Sequence, residues 1–414
     1  MDYSGFTTRV LHTRYLKNDP YGSLHMPVYD TVAFEFDLAE DMELTFQGKK
    51  PDHVYSRISN PTVENFENII RVVTDALTVT ALSSGMAAIS TLFLTLLEAG
   101  DNIITSKHLF GNTYSLFETT LKPFGLQTRY TDLTDPGMVA KQIDDKTRAI
   151  FLETITNPQL EVADIKALAD IAKNKGIPLI VDTTITPPYL FNSKKHGVNI
   201  EVISSTKYIS GGATTIGGLI IDNGTFDWSR SGKFVSEATK YGPFALSVKL
   251  KREVSRNLGA CLSPHNAYLQ TLGLETLPLR VDKSCRNAFA IAGHLEEMSQ
   301  VKSVNYPGLK SSKFHDVARK QFGDKPGAIL TFDLDSKERC FSFMNNLNII
   351  RRATNLNDNK TLILHPASTI FCEYDADTKK QMGVRETMIR LAVGIEDVKD
   401  LITDINEAMK KTYN

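Results

Sequence analysis

The sequence has little of what indicates a disulfide-stabilised, metal-binding or membrane protein. Its 414 residues include only four cysteines, which are widely spaced and form no Cys-x-x-Cys pair: Cys261, Cys285, Cys340 and Cys372. This spacing favours neither a disulfide framework nor a metal site, so we expect reduced, mostly buried thiols and no bound metal. No stretch supplies the ~20 apolar residues of a membrane span, and the N-terminus has no apolar run after a basic start. We therefore expect a cytoplasmic protein.

The chain also has no excess of charge of either sign. Lysine and arginine number 47 and aspartate and glutamate 48, for a formal net charge of −1. Such a balance gives no field that would attract nucleic acid or an anionic membrane. A small-molecule substrate is the better expectation. The length predicts about two domains, since domains typically have ~100–200 residues.

The chain divides into three parts by its patterns. Residues 1–60 have scattered aromatics and prolines without periodicity, which predicts an arm that lies on a partner subunit. Over 61–260, β-rich runs alternate with helical patterns, as in ALTVTALSSG followed by AAISTLFLTLLEAG. This alternation predicts an α/β fold, with a mostly parallel sheet covered by helices. Over 261–414, the strand candidates GAILTFDL, LNIIRRAT, TLILHP and ETMIRLAVG predict a smaller α+β domain.

Two predicted strands end in residues that could take part in cofactor chemistry. The apolar run IPLIV ends in Asp182, and a carboxylate there needs a cation to offset its desolvation. Taken alone, Asp182 is more often a turn or helix-capping residue. The next strand ends in Ser204, Thr206 and Lys207, where hydroxyls suit a phosphate and a partly desolvated lysine suits Schiff-base chemistry. Taken alone, Lys207 is more often a solvated surface charge.

A third segment, Ser84-Gly85-Met86, lies where a predicted strand turns into an apolar helix. Glycine lets the backbone approach a ligand, and free amides at the start of a helix bind anions. The same three residues could also form a simple helix cap. Ligands of such sheets collect at the carboxyl ends of the strands. The coincidence of the three segments at strand ends therefore predicts one site.

These segments, together with YSRISNPT, ETITNP and IRLAVGIED, resemble the Cys/Met-metabolism family of pyridoxal-phosphate enzymes, which has the fold of type I aminotransferases. The similarity runs in order from about Tyr55 to Asp397. Within the family the chain is most similar to the O-acetylhomoserine sulfhydrylase branch. Three features carry this: an insertion before Lys249, the phrase LGACLSPHNAYLQTLGLETLPLR, and Asn355 in TNLNDNKTLILHPAST, where related lyases usually have Ser-Leu-Gly.

The resemblance implies pyridoxal 5′-phosphate held as a Schiff base on Lys207, with Asp182 paired to the pyridine nitrogen. Phe110 stands in LFGNTY where the family normally has a catalytic tyrosine that stacks on the ring. Stacking persists without the phenol, so proton transfer is left to Lys207 or to a nearby group such as Tyr114. The other implied cofactor contacts are Ser84, the amides of Gly85 and Met86, Asn157, the hydroxyls of Ser204 and Thr206, and Tyr55 and Arg57 of a neighbouring subunit.

For the substrate, the resemblance implies a bidentate pair between Arg390 and the α-carboxylate, with Asn355 and Tyr55 nearby. It implies replacement of acetate in O-acetyl-L-homoserine by sulfide or a thiol, giving homocysteine or methionine. The alternatives are a methionine γ-lyase, a cystathionine γ-synthase or lyase, and a catalytically inactive regulatory relative. A homotetramer of active dimers is implied. The acyl group and the sulfur donor, including a protein-bound sulfur carrier, are left open.

Overall fold

The fold is built on two β-sheets, described by a computed structural model for residues 5–15 and 19–414. The strands of the larger sheet are β1 (Thr78–Leu82), β2 (Asn102–Thr105), β3 (Gln127–Tyr130), β4 (Thr147–Glu153), β5 (Leu179–Asp182), β6 (Ile200–Ile203) and β7 (Gly218–Asp222). Their order is β1-β7-β6-β5-β4-β2-β3. Strand β7 runs antiparallel to β1 and β6, and the other pairs are parallel, as the alternating pattern predicts.

Helices cover both faces of the larger sheet. The α-helices are α1 (Phe6–His12), α2 (Ala39–Phe46), α3 (Pro61–Thr74), α4 (Gly85–Leu96), α5 (Gly111–Ser115), α6 (Pro136–Gln142), α7 (Ile165–Lys175), α8 (Val235–Tyr241), α9 (Ala245–Lys249), α10 (Ser255–Leu258), α11 (Pro264–Glu275), α12 (Leu277–Glu296), α13 (His315–Phe322), α14 (Lys337–Asn346), α15 (Ala376–Gln381) and α16 (Val398–Tyr413). On β4, Phe151 packs in the core that contains α4, whereas Ile150 and Leu152 pack in the core that contains α7. Successive side chains of a strand point to opposite faces, so β4 is buried on both.

The smaller sheet lies in the C-terminal part of the chain. Its strands are β8 (Ser303–Asn305), β9 (Ile329–Asp333), β10 (Arg351–Arg352), β11 (Leu362–Leu364) and β12 (Met388–Ala392). They are arranged β10-β11-β12-β9-β8, antiparallel except for β10 and β11. With its helices this confirms an α+β arrangement. The division at 260 and 261 stays a prediction, and α11 packs against α3 beside the larger sheet.

Strand β10 is shorter than the segment LNIIRRAT predicts. The carboxylate of Asp404 on α16 accepts the backbone N–H groups of Asn348, Ile349 and Ile350 at 2.8, 2.9 and 3.0 Å. These amides are bonded to a side chain and are not available to a neighbouring strand. The strand is therefore confined to the two residues that follow, Arg351 and Arg352.

The four cysteines are free. Cys285 and Cys340 are buried as expected, but Cys261 and Cys372 are exposed, so the expectation of mostly buried thiols is wrong for half of them. None of the helices within residues 5–15 and 19–414 combines the length and apolar character needed to cross a membrane.

Strand β7 passes under the start of α4 only because residue 218 is glycine. A Cβ at Gly218 would lie 2.0 Å from the carbonyl oxygen of Ser84. We expect Gly218→Ala to lower the free energy of unfolding by about 1–3 kcal/mol, because the backbone of Ser84 has to move. Gly293→Ala on α12 is the matched control: no atom lies within 4 Å of its Cβ position, and the change should stabilise the helix by about 0.5–1 kcal/mol. Urea unfolding of both variants measures the difference, and equal effects would contradict the prediction.

Candidate active site

A cavity of about 560 Å³ lies where β4, β5 and β6 end and α4 begins. The structure brings together there most of the site residues that the sequence predicts. The cavity is lined by Ser84, Gly85, Met86, Phe110, Asn157, Asp182, Ser204, Thr206, Lys207, Asn355 and Arg390. Arg390 lies on β12 and Asn355 follows β10, so the smaller sheet forms one wall.

Lys207 lies just beyond β6, and its amine donates a hydrogen bond to Oδ1 of Asn355 at 2.7 Å. Burial lowers the pKa of Lys207 to about 8, and the nearby Arg390 guanidinium acts in the same direction, while Asp358 opposes them. A lysine of this kind has a substantial neutral fraction near neutral pH. It is therefore available as a nucleophile or a base.

Asp182 ends β5 beside Glu153, which ends β4; the two residues are paired in register. Asp182 accepts the N–H of Thr184 at 2.9 Å, and burial raises the pKa of its carboxyl. The described residues give it hydrogen bonds from Thr184 but no cationic partner. A buried carboxylate without a cation is costly, so this end of the cavity suits a positively charged ligand atom.

Glu153 is a site residue that the sequence reasoning missed. It is buried, lines the cavity and accepts the backbone N–H groups of Phe110 at 2.6 Å and Asn157 at 3.2 Å. Burial, and then the charge of Asp182, raise the pKa of Glu153 well above its ordinary value. The signal was present, because Glu153 ends an apolar strand just as Asp182 does.

The start of α4 forms an anion cradle. Ser84 caps the helix by accepting the N–H of Ala87 at 3.0 Å, which leaves the first amides, at Gly85 and Met86, without partners inside the helix. A Cβ at Gly85 would lie 2.7 Å from Cβ of Ser204, so only glycine brings the helix start this close to the end of β6. Backbone amides and the Ser204 hydroxyl thus meet at one point, an arrangement that suits a phosphate group.

Arg390 is buried in the cavity wall that the smaller sheet forms. Its Nη1 donates to Oδ1 of Asn157 at 3.1 Å and its Nη2 donates to the carbonyl of Asn355 at 2.9 Å, while its Nε has no partner. Burial lowers the pKa of Arg390 to about 10. Since no carboxylate of the chain neutralises this guanidinium within the described residues, the position suits an anionic group of a ligand.

Phe110 lines the cavity, but Tyr114 does not. The Tyr114 ring packs at 5.3 Å from the ring of Tyr130 and at 5.6 Å from that of Tyr374, measured between centroids. The expectation that Tyr114 supplies a phenol to the site is therefore unsupported. The cavity wall near Phe110 includes Thr113, which the sequence reasoning did not single out.

Tyr55 and Arg57 lie outside this cavity and are exposed. The guanidinium of Arg57 donates to the carbonyl of Arg256 at 2.6 Å and lies 5.4 Å from the centre of the Tyr55 ring. Their contribution to a neighbouring subunit's site stays a prediction.

A family model for Cys/Met metabolism PLP-dependent enzymes matches residues 7–410. The chain belongs to this family. A solved structure of the O-acetylhomoserine sulfhydrylase of Wolinella succinogenes is 50% identical, with a TM-score of 0.78, and covers 86% of this chain and 99% of its own. O-acetyl-L-homoserine sulfhydrylase 1 of Thermus thermophilus is 36% identical over 98% of this chain and 99% of its own. L-methionine γ-lyase of Fusobacterium nucleatum is 35% identical over 99% of both.

Pyridoxal phosphate is therefore the cofactor, and the cavity fits it. The cradle at Gly85 suits the phosphate, and Asp182 suits a protonated ring nitrogen. The amine of Lys207 suits the aldehyde, and the partnerless Nε of Arg390 suits the carboxylate of an amino-acid substrate. Membership of the family also confirms the fold of type I aminotransferases that the resemblance implies.

The pKa of Lys207 predicts how the cofactor-free protein takes up pyridoxal phosphate. Only the neutral amine attacks an aldehyde, so the uptake rate should rise with pH through about 8 and then level off. The measurement is the growth of visible absorbance after mixing, with Lys207→Ala as the control for reaction at other lysines. A rate that kept climbing toward pH ~10, near the ordinary pKa of lysine, would contradict this prediction.

Proposed function

We propose that this enzyme converts O-acetyl-L-homoserine and sulfide to L-homocysteine and acetate. The Cγ–O bond to the acetyl group breaks and a Cγ–S bond forms, with no change of oxidation state overall. One observation carries the proposal: a lysine amine with a lowered pKa shares a cavity with a buried arginine that has a partnerless N–H. The 50% identity to the Wolinella succinogenes sulfhydrylase supports the choice of substrate.

Each charged residue has a distinct role in this proposal. Bound pyridoxal phosphate supplies an acceptor for the electrons left when the α-proton departs. Arg390 binds the substrate's α-carboxylate, and Asp182 keeps the cofactor's ring nitrogen protonated. Lys207 takes the proton from Cα and then moves a proton at Cβ, so that acetate leaves from Cγ and sulfide adds there.

Phe110 makes Lys207 more important in this chain. Phe110 lines the cavity but carries no hydroxyl, so its ring can stack on the cofactor without exchanging a proton. The ring of Tyr114 packs against the rings of Tyr130 and Tyr374 instead and does not line the cavity. The proton transfers at Cα and Cβ therefore fall to the amine of Lys207.

A second copy of the chain completes the site in this proposal. Residues 19–60 expose large apolar side chains, among them Tyr21 at 95% and Leu24 at 96%. Val32, Leu38 and Phe46 in the same stretch are also more than half exposed. So many exposed apolar side chains in one stretch of chain favour a surface that a partner covers. We infer that this arm lies on a neighbouring subunit and brings Tyr55 and Arg57 to its phosphate site, in a homotetramer of active dimers.

The proposed reaction is tested directly with purified enzyme. O-Acetyl-L-homoserine with sulfide should yield homocysteine, and O-succinyl-L-homoserine should react more slowly. Lys207→Ala should abolish turnover and lose the visible absorbance of the bound cofactor, because both depend on the amine. Lys195→Ala, which changes an exposed lysine, is the control and should retain both.

Methionine γ-lyase activity is the second candidate, supported by the similar identity of the Fusobacterium nucleatum relative. Such an enzyme eliminates: methionine and water give methanethiol, ammonia and a 2-oxo acid without added sulfide. Homocysteine as the main product supports the proposal. A 2-oxo acid as the main product, with sulfide present, would overturn it in favour of elimination.

The shared site is tested by mixing two inactive variants. Arg57→Ala removes the arm's cation, and Lys207→Ala removes the amine. In a mixed dimer one site has both defects and the other has none, so each mixed dimer should have about half of wild-type activity. Random pairing makes about half of the dimers mixed, so the co-expressed material, enriched for mixed assemblies, should recover roughly a quarter to a half. Activity is measured after purification on two different affinity tags. If the mixture stays as inactive as either variant, Arg57 acts within its own subunit and the proposal of a shared site is lost.

A further inference from the structure

Asparagines occupy alternate positions in the segment Asn355–Asn359, which joins β10 to β11. Each one forms a hydrogen bond with a different loop in or next to the cavity. Asn355 Oδ1 accepts from Lys207 at 2.7 Å, Asn357 donates to the carbonyl of Thr184 at 3.2 Å, and Asn359 donates to the carbonyl of Gly211 at 2.9 Å. The segment is thus fastened to the loops that follow both Asp182 and Lys207.

Close packing fixes the far end of this segment. A Cβ at Gly212 would lie 2.5 Å from Nδ2 of Asn359, so the loop after Lys207 fits tightly against the Asn359 side chain. Asn357 adopts a left-handed φ of 56°, a conformation that asparagine tolerates better than most residues. The backbone around Asn355 is therefore held in place from both sides.

Asn355 is itself oriented by its neighbours. Its Nδ2 donates to Oδ2 of Asp358 at 3.3 Å, and a carboxylate accepts hydrogen bonds but cannot donate them. The amide nitrogen is thereby directed to Asp358 and the amide oxygen to Lys207. The main-chain carbonyl of Asn355 separately accepts from Arg390 at 2.9 Å. One residue thus contacts both the amine and the arginine of the site.

We propose that Asn355 is a positioning residue for Lys207: its amide oxygen holds the amine beside Arg390. A neutral amine that donates one N–H to Asn355 directs its lone pair away from that oxygen, into the cavity. In the proposed function, which this inference deepens, the lone pair is then aimed at the substrate's α-proton. Asp358 acts through Asn355 by fixing the orientation of the amide.

The first test uses the cofactor-free protein, so that it does not depend on the reaction. The Lys207 amine is labelled competitively with acetic anhydride across a pH series and quantified by mass spectrometry. Asn355→Ala should lower the pH of half-maximal labelling, because the lost acceptor stabilises the charged amine more than the neutral one. Asn355→Asp should raise it, because a carboxylate then faces the amine. Asn345→Ala, an exposed asparagine of α14, is the matched control.

The second test separates positioning from substrate binding in the holoenzyme. Asn355→Ala keeps the main-chain carbonyl that binds Arg390, so KM for O-acetyl-L-homoserine should change little. Misdirection of the amine should lower kcat on the order of ten- to hundredfold. A purely structural role would lower the unfolding temperature and leave the labelling pH unchanged.

The outcomes are distinct. The proposal is overturned if half-maximal labelling occurs at the same pH in the Ala and Asp variants as in the unchanged protein, or if KM rises while kcat stays constant. Should Asn355→Ala fail to fold, Asp358→Asn replaces it; removing this charge should also lower the half-labelling pH, since Asp358 raises the pKa of Lys207. If labelling shifts as expected but no homocysteine forms, the proposed function fails and the positioning role stands.

Discussion

The active site depends on a partly buried carboxylate, that of Asp182, for which the described residues supply no cation. Asp182 ends a strand with buried neighbours on both sides, and Glu153 beside it adds a second carboxyl to the same poorly solvated place. Their mutual repulsion raises the free energy of the ionised pair in the cofactor-free protein. A ligand that brings a positive ring nitrogen removes this penalty. Binding of the cofactor and stability of the fold are therefore coupled at this point, since a ligand that binds only the folded state stabilises it.

Each of the two sheets supplies a different set of residues to the site. The larger sheet provides the end that suits the cofactor, through the start of α4 and the ends of β5 and β6. The smaller sheet and the segment after β10 provide Arg390 and Asn355, the groups that the proposed function assigns to an amino-acid substrate. The relative placement of the sheets thus sets the distance between substrate carboxylate and lysine amine. The hydrogen bond from Lys207 to Asn355 crosses this boundary, and the hydrogen bond from Asn355 to Asp358 orients the amide that accepts it.

Local sequence was sufficient for the parts of the site that follow from strand ends. Asp182, Ser204 and Lys207 terminate or follow apolar runs, and parallel strands bring their carboxyl ends together. Contacts made by remote segments were not predictable in this way. The shortening of β10 depends on Asp404, which lies more than fifty residues away along the chain. The hydrogen bond from Lys207 to Asn355 likewise joins residues 148 positions apart, and no periodicity in either segment encodes it.

Glu153 holds the backbone at Phe110, the position where the resemblance implies a tyrosine. The residue at this position is held by its backbone N–H, which donates to Glu153, and not by its side chain. An exchange of tyrosine for phenylalanine removes one hydroxyl and leaves that hydrogen bond in place. A lysine whose pKa is lowered to about 8 in the same cavity is suited to carry those transfers alone, so the departure at Phe110 and the environment of Lys207 are consistent parts of one site.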